Sequence, residues 1–219
     1  MATRAKRRGR GRSGRQSDLQ VILFLAFFLS VVAAPLALRS GLHESDQSAR
    51  RRLGMVEARD TNAAIPFVAE HGSAEALRFR GSVAERGQAV QCLATAAVYE
   101  AGDDERGQKA VMQVVLNRLA RAGYPKTVCG VVYQGAARTT GCQFSFACDG
   151  SQERRPERAG WSTARTAARR ALPGHVYRPV GAATHYYADW VVPYWIGSLD
   201  KIAQVRSHIF YRPRQHAEL

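Results

Sequence analysis

The stretch CLATAAVYEAGDDERGQ, from Cys92 to Gln108, places one carboxylate at the end of an apolar helical run. Small and apolar residues lead up to Glu100, and a short acidic loop follows it. Burial disfavours the charged form of a carboxylate, so a glutamate in this setting is expected to have a raised pKa, as general acid catalysis requires. The alternative is a glutamate that caps a helix or forms a salt bridge, which is the more common role.

A second helix must determine where Glu100 points. Between Gly107 and Ala122, apolar residues recur at helical spacing and define one buried face. The members of this face are Ala110, Val111, Val114, Val115 and Leu119. Asp103 and Asp104 offer N-cap oxygens before the helix, and Pro125 prevents its continuation. We therefore expect a core helix that braces the turn after Glu100.

The remaining patterns predict an α+β fold that is mainly α. Trp161–Leu172 reads as a helix with Ser162 as a candidate N-cap, whereas the segment TVCGVVYQG has a β-branched character. Ala183–Tyr187 and His208–Tyr211 are β-like, and a short helical piece is expected over Ala74–Phe79. The β content is therefore a small element beside several helices.

The charge of the 219-residue chain is strongly positive and unevenly placed. Lysine and arginine number 32 against 18 acidic residues, with a net charge of +6 in residues 1–18, +1 in residues 39–87 and +7 in residues 88–219. A basic domain suits a polyanion such as nucleic acid, anionic lipid or the anionic bacterial wall. Composition alone does not choose among these partners.

Leu19–Leu38 is a run of twenty uncharged residues, long enough to cross a hydrocarbon core of about 30 Å. Seven basic residues precede it and only Arg39 follows closely, which places the N-terminus in the cytoplasm. A cleaved signal peptide is the alternative, but Pro35 stands just after the candidate cleavage site. We expect an uncleaved signal anchor in the inner (cytoplasmic) membrane and a periplasmic or extracellular catalytic domain.

Four segments follow from these patterns. Residues 1–18 are a basic, disordered cytoplasmic tail, and residues 19–38 are the transmembrane anchor. Residues 39–87 read as a partly helical juxtamembrane spacer, and residues 88–214 as the globular domain. The chain has no nucleic-acid-binding motif, and membrane topology explains the basic tail, so no nucleic-acid partner is expected.

The four cysteines, Cys92, Cys129, Cys142 and Cys148, all fall in the globular domain. They include no C-x-x-C pair, and an even number in an exported domain favours two disulfides with three possible pairings. Cys142 and Cys148 are close enough to staple a short hairpin or loop. We therefore expect Cys142–Cys148 and Cys92–Cys129, the second of which would tie the Glu100 helix to the segment Val128–Tyr133.

Five blocks in order resemble the SleB-type cell wall hydrolase family over about residues 88–212. They are EAGDDERGQKAVMQVVLNRL, YPKTVCGVVYQG, CQFSFACDG, ATHYYADWVVPYW and HIFYR. The resemblance implies a compact domain similar to lysozymes and lytic transglycosylases, cleavage of the glycan strand of peptidoglycan, and Glu100 as the catalytic glutamate. The loop after Glu100 is shorter than is usual in the family and lacks its second glutamate, and Tyr187 stands where a histidine is common.

Breaking a glycosidic bond requires protonation of the leaving oxygen, which a neutral carboxylic acid can supply. The acids close to Glu100 in sequence are Asp103, Asp104 and Glu105, all on a polar loop. Because none is a convincing second catalytic group, we expect Glu100 to act as acid and then as base. The 6-hydroxyl of the substrate would then close a 1,6-anhydro ring, which is transglycosylation rather than hydrolysis.

Several polar and aromatic residues are candidate sugar contacts. Gln143 and Ser145 could hydrogen-bond the sugar, and Tyr186, Trp190 and Trp195 could stack on its rings, although such residues also serve as ordinary strand polarity and core. His185 and His208 lack the spacing of a metal site, so no metal or cofactor is expected. The alternative to an enzyme is a peptidoglycan-binding or envelope scaffold protein that keeps the fold without catalysis, and the shortened loop keeps that alternative open.

Overall fold

A computed structural model of the chain describes residues 47, 50–74, 76–138, 141–153 and 160–214. The basic tail and the apolar run over residues 1–38 lie outside these residues. Among the helices of the described part, none is long and apolar enough to cross a membrane. Residues 55–214 belong to one compact unit, which contains every strand and all the helices discussed below except the start of the first.

Within the residues that the structure describes, five α-helices and one small sheet form the architecture. Residues 50–64 are helical (α1), and the other helices are α2 Val83–Ala101, α3 Glu105–Ala120, α4 Val128–Val132 and α5 Trp161–Ala171. The strands are β1 His185–Ala188, β2 Leu199–Val205 and β3 His208–Pro213, and short 3₁₀ turns lie at Ser145–Ala147, Arg178–Val180 and Ile196–Ser198. The expected α+β fold with mainly helical content is confirmed.

Helix α2 brings Glu100 to its place in the last turn. It begins with a capping box, in which the Ser82 hydroxyl accepts from the Glu85 amide at 3.2 Å and the Glu85 carboxylate accepts from the Ser82 amide at 2.7 Å. It ends at Gly102, whose φ of 59° is a conformation that favours glycine. The side chains of Leu93 and Val98 are fully buried, so this helix is a central element of the core.

Helix α3 follows α2 after a short turn, and a buried glutamine of α3 is hydrogen-bonded to that turn. The Asp104 carboxylate caps the helix by accepting from the Arg106 amide at 3.2 Å, as expected from the sequence. Gln108 Nε2 donates to the Gly102 carbonyl at 2.6 Å and to the Gly160 carbonyl at 3.3 Å. A Cβ at Gly160 would lie 2.8 Å from Gln108 Nε2, so only glycine allows α5 to begin this close to the turn. The N-cap of α5 is therefore Gly160 and not Ser162.

Two segments adopt a conformation different from the one expected. The segment TVCGVVYQG contains α4 rather than a strand. The Thr127 hydroxyl caps this helix by accepting from the Gly130 amide at 3.0 Å. Its valines, Val128, Val131 and Val132, are buried at helical spacing. Residues 76–80 are not helical. They have no regular secondary structure, and the Phe79 amide donates to the Leu172 carbonyl at 2.9 Å.

The sheet is antiparallel, with strand order β1-β3-β2. One face carries Ile202 and Phe210 and packs on Val114 of α3, while the other carries Tyr187 and Tyr211. The strands β1 and β3 coincide with the two β-like segments of the sequence, but β2 is not predicted. Its buried Lys201 interrupts the apolar pattern, and that ammonium donates to the carbonyls of residues 62 and 65 at 2.6 and 2.9 Å.

Both expected disulfides are present. Cys92–Cys129 joins α2 to α4 across a sequence separation of 37 residues, and Cys142–Cys148 closes a separation of 6. No described cysteine is free. The first bridge therefore fixes the helix that carries Glu100, and the second fixes the loop that contains Gln143 and Ser145.

Replacing both Cys92 and Cys129 by serine should lower the free energy of unfolding by roughly 3–4 kcal/mol, because a long loop in the unfolded chain is released. The matched Cys142→Ser, Cys148→Ser pair should lose roughly 2 kcal/mol, since its loop is short. Urea unfolding without reductant measures both. Equal losses from the two pairs would contradict the loop-length explanation.

Candidate active site

Glu100 lies half-buried where three other segments meet the end of α2. Tyr186 comes from β1, Arg118 from the last turn of α3, and Asp149 from the residues after the 3₁₀ turn Ser145–Ala147. All three act on the ionisation of the Glu100 carboxyl group. The site is therefore built from residues far apart in the chain and brought together by the packing of α2, α3 and the sheet.

The pKa of Glu100 is raised above its ordinary value, chiefly because burial disfavours the carboxylate. The hydrogen bond from the Tyr186 hydroxyl and the charge of the Arg118 guanidinium oppose this rise, whereas the negative charge of Asp149 adds to it. The net result is a carboxyl group that holds its proton to higher pH than a solvated glutamate. A raised pKa is the shift that general acid catalysis by a glutamate requires.

Tyr186 is held rigidly in this site and keeps its own proton. Its ring stacks on Phe210 at 5.6 Å between ring centroids and lies 6.4 Å from the ring of Phe144. Burial, and secondarily the charge of Glu100, raises the pKa of the Tyr186 phenol well above its ordinary value. The hydroxyl is therefore a permanent donor at physiological pH, and it stabilises the carboxylate of Glu100 once the proton has left.

Arg118 is a buried cation, with only 3% of its surface exposed. Its Nε donates to the Thr184 carbonyl at 2.6 Å, and its Nη1 and Nη2 donate to the side-chain oxygen of Gln143 at 3.1 and 3.2 Å when the amide is oriented to accept. The guanidinium also lies over the rings of Tyr124 and Phe144, at 5.9 and 5.7 Å. Arg118 thus fixes Gln143 beside the site while its positive charge acts on Glu100.

The segment from Cys142 to Ser151 packs directly beside Glu100. Phe146 stacks on Tyr99, the neighbour of Glu100, at 4.7 Å, and the Tyr99 hydroxyl donates to the Ser151 carbonyl at 3.2 Å. Ser145 is exposed on this segment, and Asp149 is oriented by a 2.8 Å hydrogen bond from the Ser151 amide. These contacts bring a second carboxylate close to Glu100.

The predicted aromatic contacts separate into two groups. Tyr186 lies beside Glu100, whereas Trp195 packs on the opposite face of the sheet, 5.4 Å from Tyr187 and 5.8 Å from Tyr211. Trp190 is 39% exposed and lies under the guanidinium of Arg59 at 5.8 Å. Of the three aromatics, only Tyr186 has a contact that joins it to the Glu100 site.

The acids of the loop after Glu100 have other partners. Asp104 caps α3 and forms an ion pair with Arg206 at 3.6 Å, and Glu105 pairs with Lys109 on the surface. Asp103 is exposed. That none of the three is a second catalytic carboxylate stays a prediction.

His185 and His208 stand on opposite faces of the sheet, because their register partners are Tyr211 and Ala188. Burial lowers the pKa of both, that of His185 to about 4 with further lowering by Arg118 and Arg121, so both are neutral near pH 7. The described residues contain no group of three His, Cys, Asp or Glu side chains that could hold a metal ion. The two histidines do not form one site.

Two residues missed by the sequence analysis, Arg118 and Asp149, act on Glu100. Arg118 follows the buried helix face of α3 and resembles an ordinary surface cation in the sequence. Asp149 directly follows Cys148. The Cys142–Cys148 disulfide lies next to the site, and it is the one sequence signal that could have indicated Asp149. Neither could be linked to Glu100 without the tertiary contacts.

Two substitutions should move the pH profile of Glu100-dependent activity in opposite directions. Activity falls as pH rises through the pKa of the general acid. Tyr186→Phe removes a hydrogen bond that stabilises the carboxylate, so the pKa of Glu100 rises and the alkaline fall moves to higher pH. Asp149→Asn removes a neighbouring negative charge, so the pKa decreases and the fall moves to lower pH.

Rate measurements across pH on peptidoglycan fragments test both shifts. Glu153→Gln serves as the matched control, since this exposed acid lies four residues after Asp149 and is not among the groups that act on the ionisation of Glu100. Shifts of the same sign in the Tyr186 and Asp149 variants would disagree with the electrostatics of the site.

The fold and site define a mainly helical domain in which a half-buried glutamate with a raised pKa lies beside a tyrosine hydroxyl and a buried guanidinium. Residues 102–211 match the family described as Cell Wall Hydrolase, a match that begins two residues after Glu100. The chain belongs to this family, and the resemblance to SleB-type enzymes is confirmed.

The chain spans less than half the length of the curated relatives that it matches. The chain is 36% identical over 123 residues to a spore cortex-lytic enzyme of Halalkalibacterium halodurans, covering 55% of this chain and 34% of that protein. It is 32% identical over 123 residues to one from Bacillus cereus, covering 55% of this chain and 43% of that protein. The crystal structure of the catalytic domain of the Bacillus cereus SleB protein is 29% identical, with a TM-score of 0.47 and coverage of 62% of this chain and 95% of that one.

Proposed function

We propose that this chain cleaves the glycan strand of peptidoglycan with Glu100 as its general acid. The observation that carries the proposal is the half-buried Glu100, whose pKa is raised by burial and whose carboxylate has a tyrosine hydroxyl and a buried guanidinium to stabilise it. Membership of the Cell Wall Hydrolase family and the names of the curated relatives support the substrate class.

The proposed chemistry requires one carboxyl group. Glu100 donates its proton to the glycosidic oxygen as the bond between that oxygen and C1 of the muramic sugar breaks. The 6-hydroxyl of the same sugar then bonds to C1 and gives its proton to the Glu100 carboxylate, which restores the acid. The Tyr186 hydroxyl and the charge of Arg118 stabilise the carboxylate between the two steps. The product is a 1,6-anhydromuramic end, as from a lytic transglycosylase.

Asp149 favours a second candidate, a muramidase-type hydrolase. Retaining and inverting glycosidases use two carboxyl groups, and Asp149 is the carboxylate that acts on Glu100. In that mechanism Asp149 would act as nucleophile or as the base that activates water, and Asp149→Asn would abolish cleavage rather than shift its pH profile. The transglycosylase is the primary proposal because Asp149 is exposed and therefore well solvated.

An activity gel containing peptidoglycan, followed by analysis of the released ends, tests the proposal. We expect clearing by the purified chain and 1,6-anhydromuramic ends. Reducing ends together with an inactive Asp149→Asn variant would identify the hydrolase. Binding to peptidoglycan without any clearing would identify a non-catalytic scaffold instead.

For the substrate contacts, we propose Gln143, Ser145 and Tyr186 as the residues that hold the sugar next to Glu100. Gln143 is fixed by Arg118, Ser145 is exposed on the same segment, and Tyr186 already faces the carboxyl group. For the exposed Trp190 we propose stacking on a more distant sugar. Trp195, which is partly buried against Tyr187 and Tyr211 on the other face of the sheet, stays a proposed stacking residue for a sugar away from Glu100.

We also propose that residues 19–38 anchor the chain in the inner membrane, with residues 39–219 outside the cytoplasm. The support is the uncharged length of this run and the excess of basic residues before it. A phosphatase fused after residue 219 should be active, and a reporter that works only in the cytoplasm should be silent. The reverse pattern would reject this topology.

A further inference from the structure

A cavity of about 480 Å³ lies between α3, α5 and residues 175–177, and the proposed mechanism does not use it. Its volume is in the range typical of small-molecule sites. Among the residues that line it are Lys109, Met112, Thr163, Thr166, Arg170 and His175. Glu100, Tyr186, Arg118 and Asp149 are absent from its lining.

Helix α3 separates this cavity from Glu100. Lys109 and Met112 line the cavity, while Arg118 lies nine positions beyond Lys109, about two and a half helical turns. Side chains at that spacing point to opposite sides of a helix. The cavity is thus a second concave site on the far side of the helix that supports the active site.

The lining combines a buried apolar floor with two threonine hydroxyl groups that can donate hydrogen bonds. Met112 and Ala167 are buried at the floor, and the hydroxyls of Thr163 and Thr166 have no side-chain hydrogen bond to any described residue. Such a surface can contact small apolar groups through Met112 and Ala167, and it can hydrogen-bond backbone amides or carbonyl oxygens through the two threonine hydroxyls. The pattern fits a short peptide better than a bare inorganic ion.

The cavity is lined by one acid, Glu105, and by the two cations Lys109 and Arg170, so its charge is slightly positive. Lys109 is paired with Glu105, but Arg170 acts on Glu105 only at longer range and has no ion pair within the part of the chain that the structure describes. Arg170 is exposed at the rim with its guanidinium available. A guanidinium of this kind recognises a carboxylate through two parallel hydrogen bonds.

We propose that this cavity binds the peptide stem of peptidoglycan through a stem carboxylate held by Arg170. The apolar floor of Met112 and Ala167 would take the alanine methyl groups, and the hydroxyls of Thr163 and Thr166 would bond to the stem backbone. This inference rests on the proposed function for its choice of ligand. Since the cavity and Glu100 lie on opposite sides of α3, one strand can occupy the active site while a stem of a neighbouring strand is held.

A labelled synthetic stem tetrapeptide with a free carboxyl terminus, titrated into the full chain in detergent, tests the proposal by fluorescence anisotropy. Arg170→Ala should weaken binding about 10- to 100-fold, the loss of a hydrogen bond to a charged group. Thr166→Trp should weaken binding by filling the cavity from an exposed position. Arg169→Ala is the matched control, because Arg169 is an exposed neighbour on α5 that does not line the cavity, and it should bind as the parent chain does.

The same peptide with an amidated terminus and amidated side-chain carboxyls should bind the parent chain as weakly as the acid peptide binds Arg170→Ala. Unchanged binding in both the Arg170 and Thr166 variants, equal losses in Arg169→Ala and Arg170→Ala, or no binding by the parent chain would each overturn the proposal. Glu100→Gln should still bind the peptide. Strand cleavage without peptide binding therefore rejects this site alone, whereas peptide binding with full cleavage by Glu100→Gln rejects the proposed catalytic function alone.

Discussion

Glu100→Gln is expected to remove strand cleavage while the domain remains folded. The amide is nearly isosteric with the carboxyl group but has no proton to give to the glycosidic oxygen. Loss of general acid catalysis alone should lower the rate by roughly 10²–10⁴-fold. The measurement is the rate of release of muramic ends from purified peptidoglycan, with circular dichroism to verify folding.

Glu57→Gln is the matched control for this variant. It is the same chemical change at an exposed position of α1, and Glu57 is not among the groups that act on Glu100. Its rate should stay close to that of the parent chain. Full activity in Glu100→Gln would remove the basis of the whole catalytic assignment.

Arg118→Met should destabilise the domain more than any other single change at the site. Methionine fills similar space but leaves the Thr184 carbonyl and the Gln143 side-chain oxygen without donors. Each buried group left unsatisfied costs about 1–3 kcal/mol, so the free energy of unfolding should decrease by about 2–5 kcal/mol. Losing the positive charge should also raise the pKa of Glu100 further and move the alkaline fall of activity to higher pH.

Arg121→Met provides the comparison for this change. Arg121 is the exposed C-cap of the same helix, so its replacement should alter the free energy of unfolding by less than about 0.5 kcal/mol. Urea unfolding of both variants measures the difference. Similar losses in the two would mean that burial of Arg118 contributes little.

Local patterns predicted helices α3 and α5 and strands β1 and β3, but missed the short helix α4 and strand β2. The apolar spacing and the Asp104 cap located α3 within two residues at each end, because its buried face and its cap are both encoded locally. The capping box at Ser82 and Glu85 was an equally local signal for the start of α2. Strand β2 was missed because Lys201, a charged residue, is buried by carbonyl acceptors from residues distant in sequence.

The candidate site divides in the same way. Glu100 could be found from its position at the end of an apolar helix, which is a local property. Arg118 and Asp149 could not be found, because their relation to Glu100 arises only when α3 and the Cys142–Ser151 segment pack against α2. The sequence likewise could not show on which face of the sheet Trp195 lies, because that depends on its packing against Tyr187 and Tyr211.

The bridge between Cys92 and Cys129 restrains the helix that carries Glu100. Cys92 and Glu100 stand on α2 about two turns apart, so the covalent bond and the carboxyl group share one rigid element. With both thiols reduced, α2 would be held by packing alone. The position of the Glu100 carboxyl group is therefore fixed by a covalent bond as well as by the core.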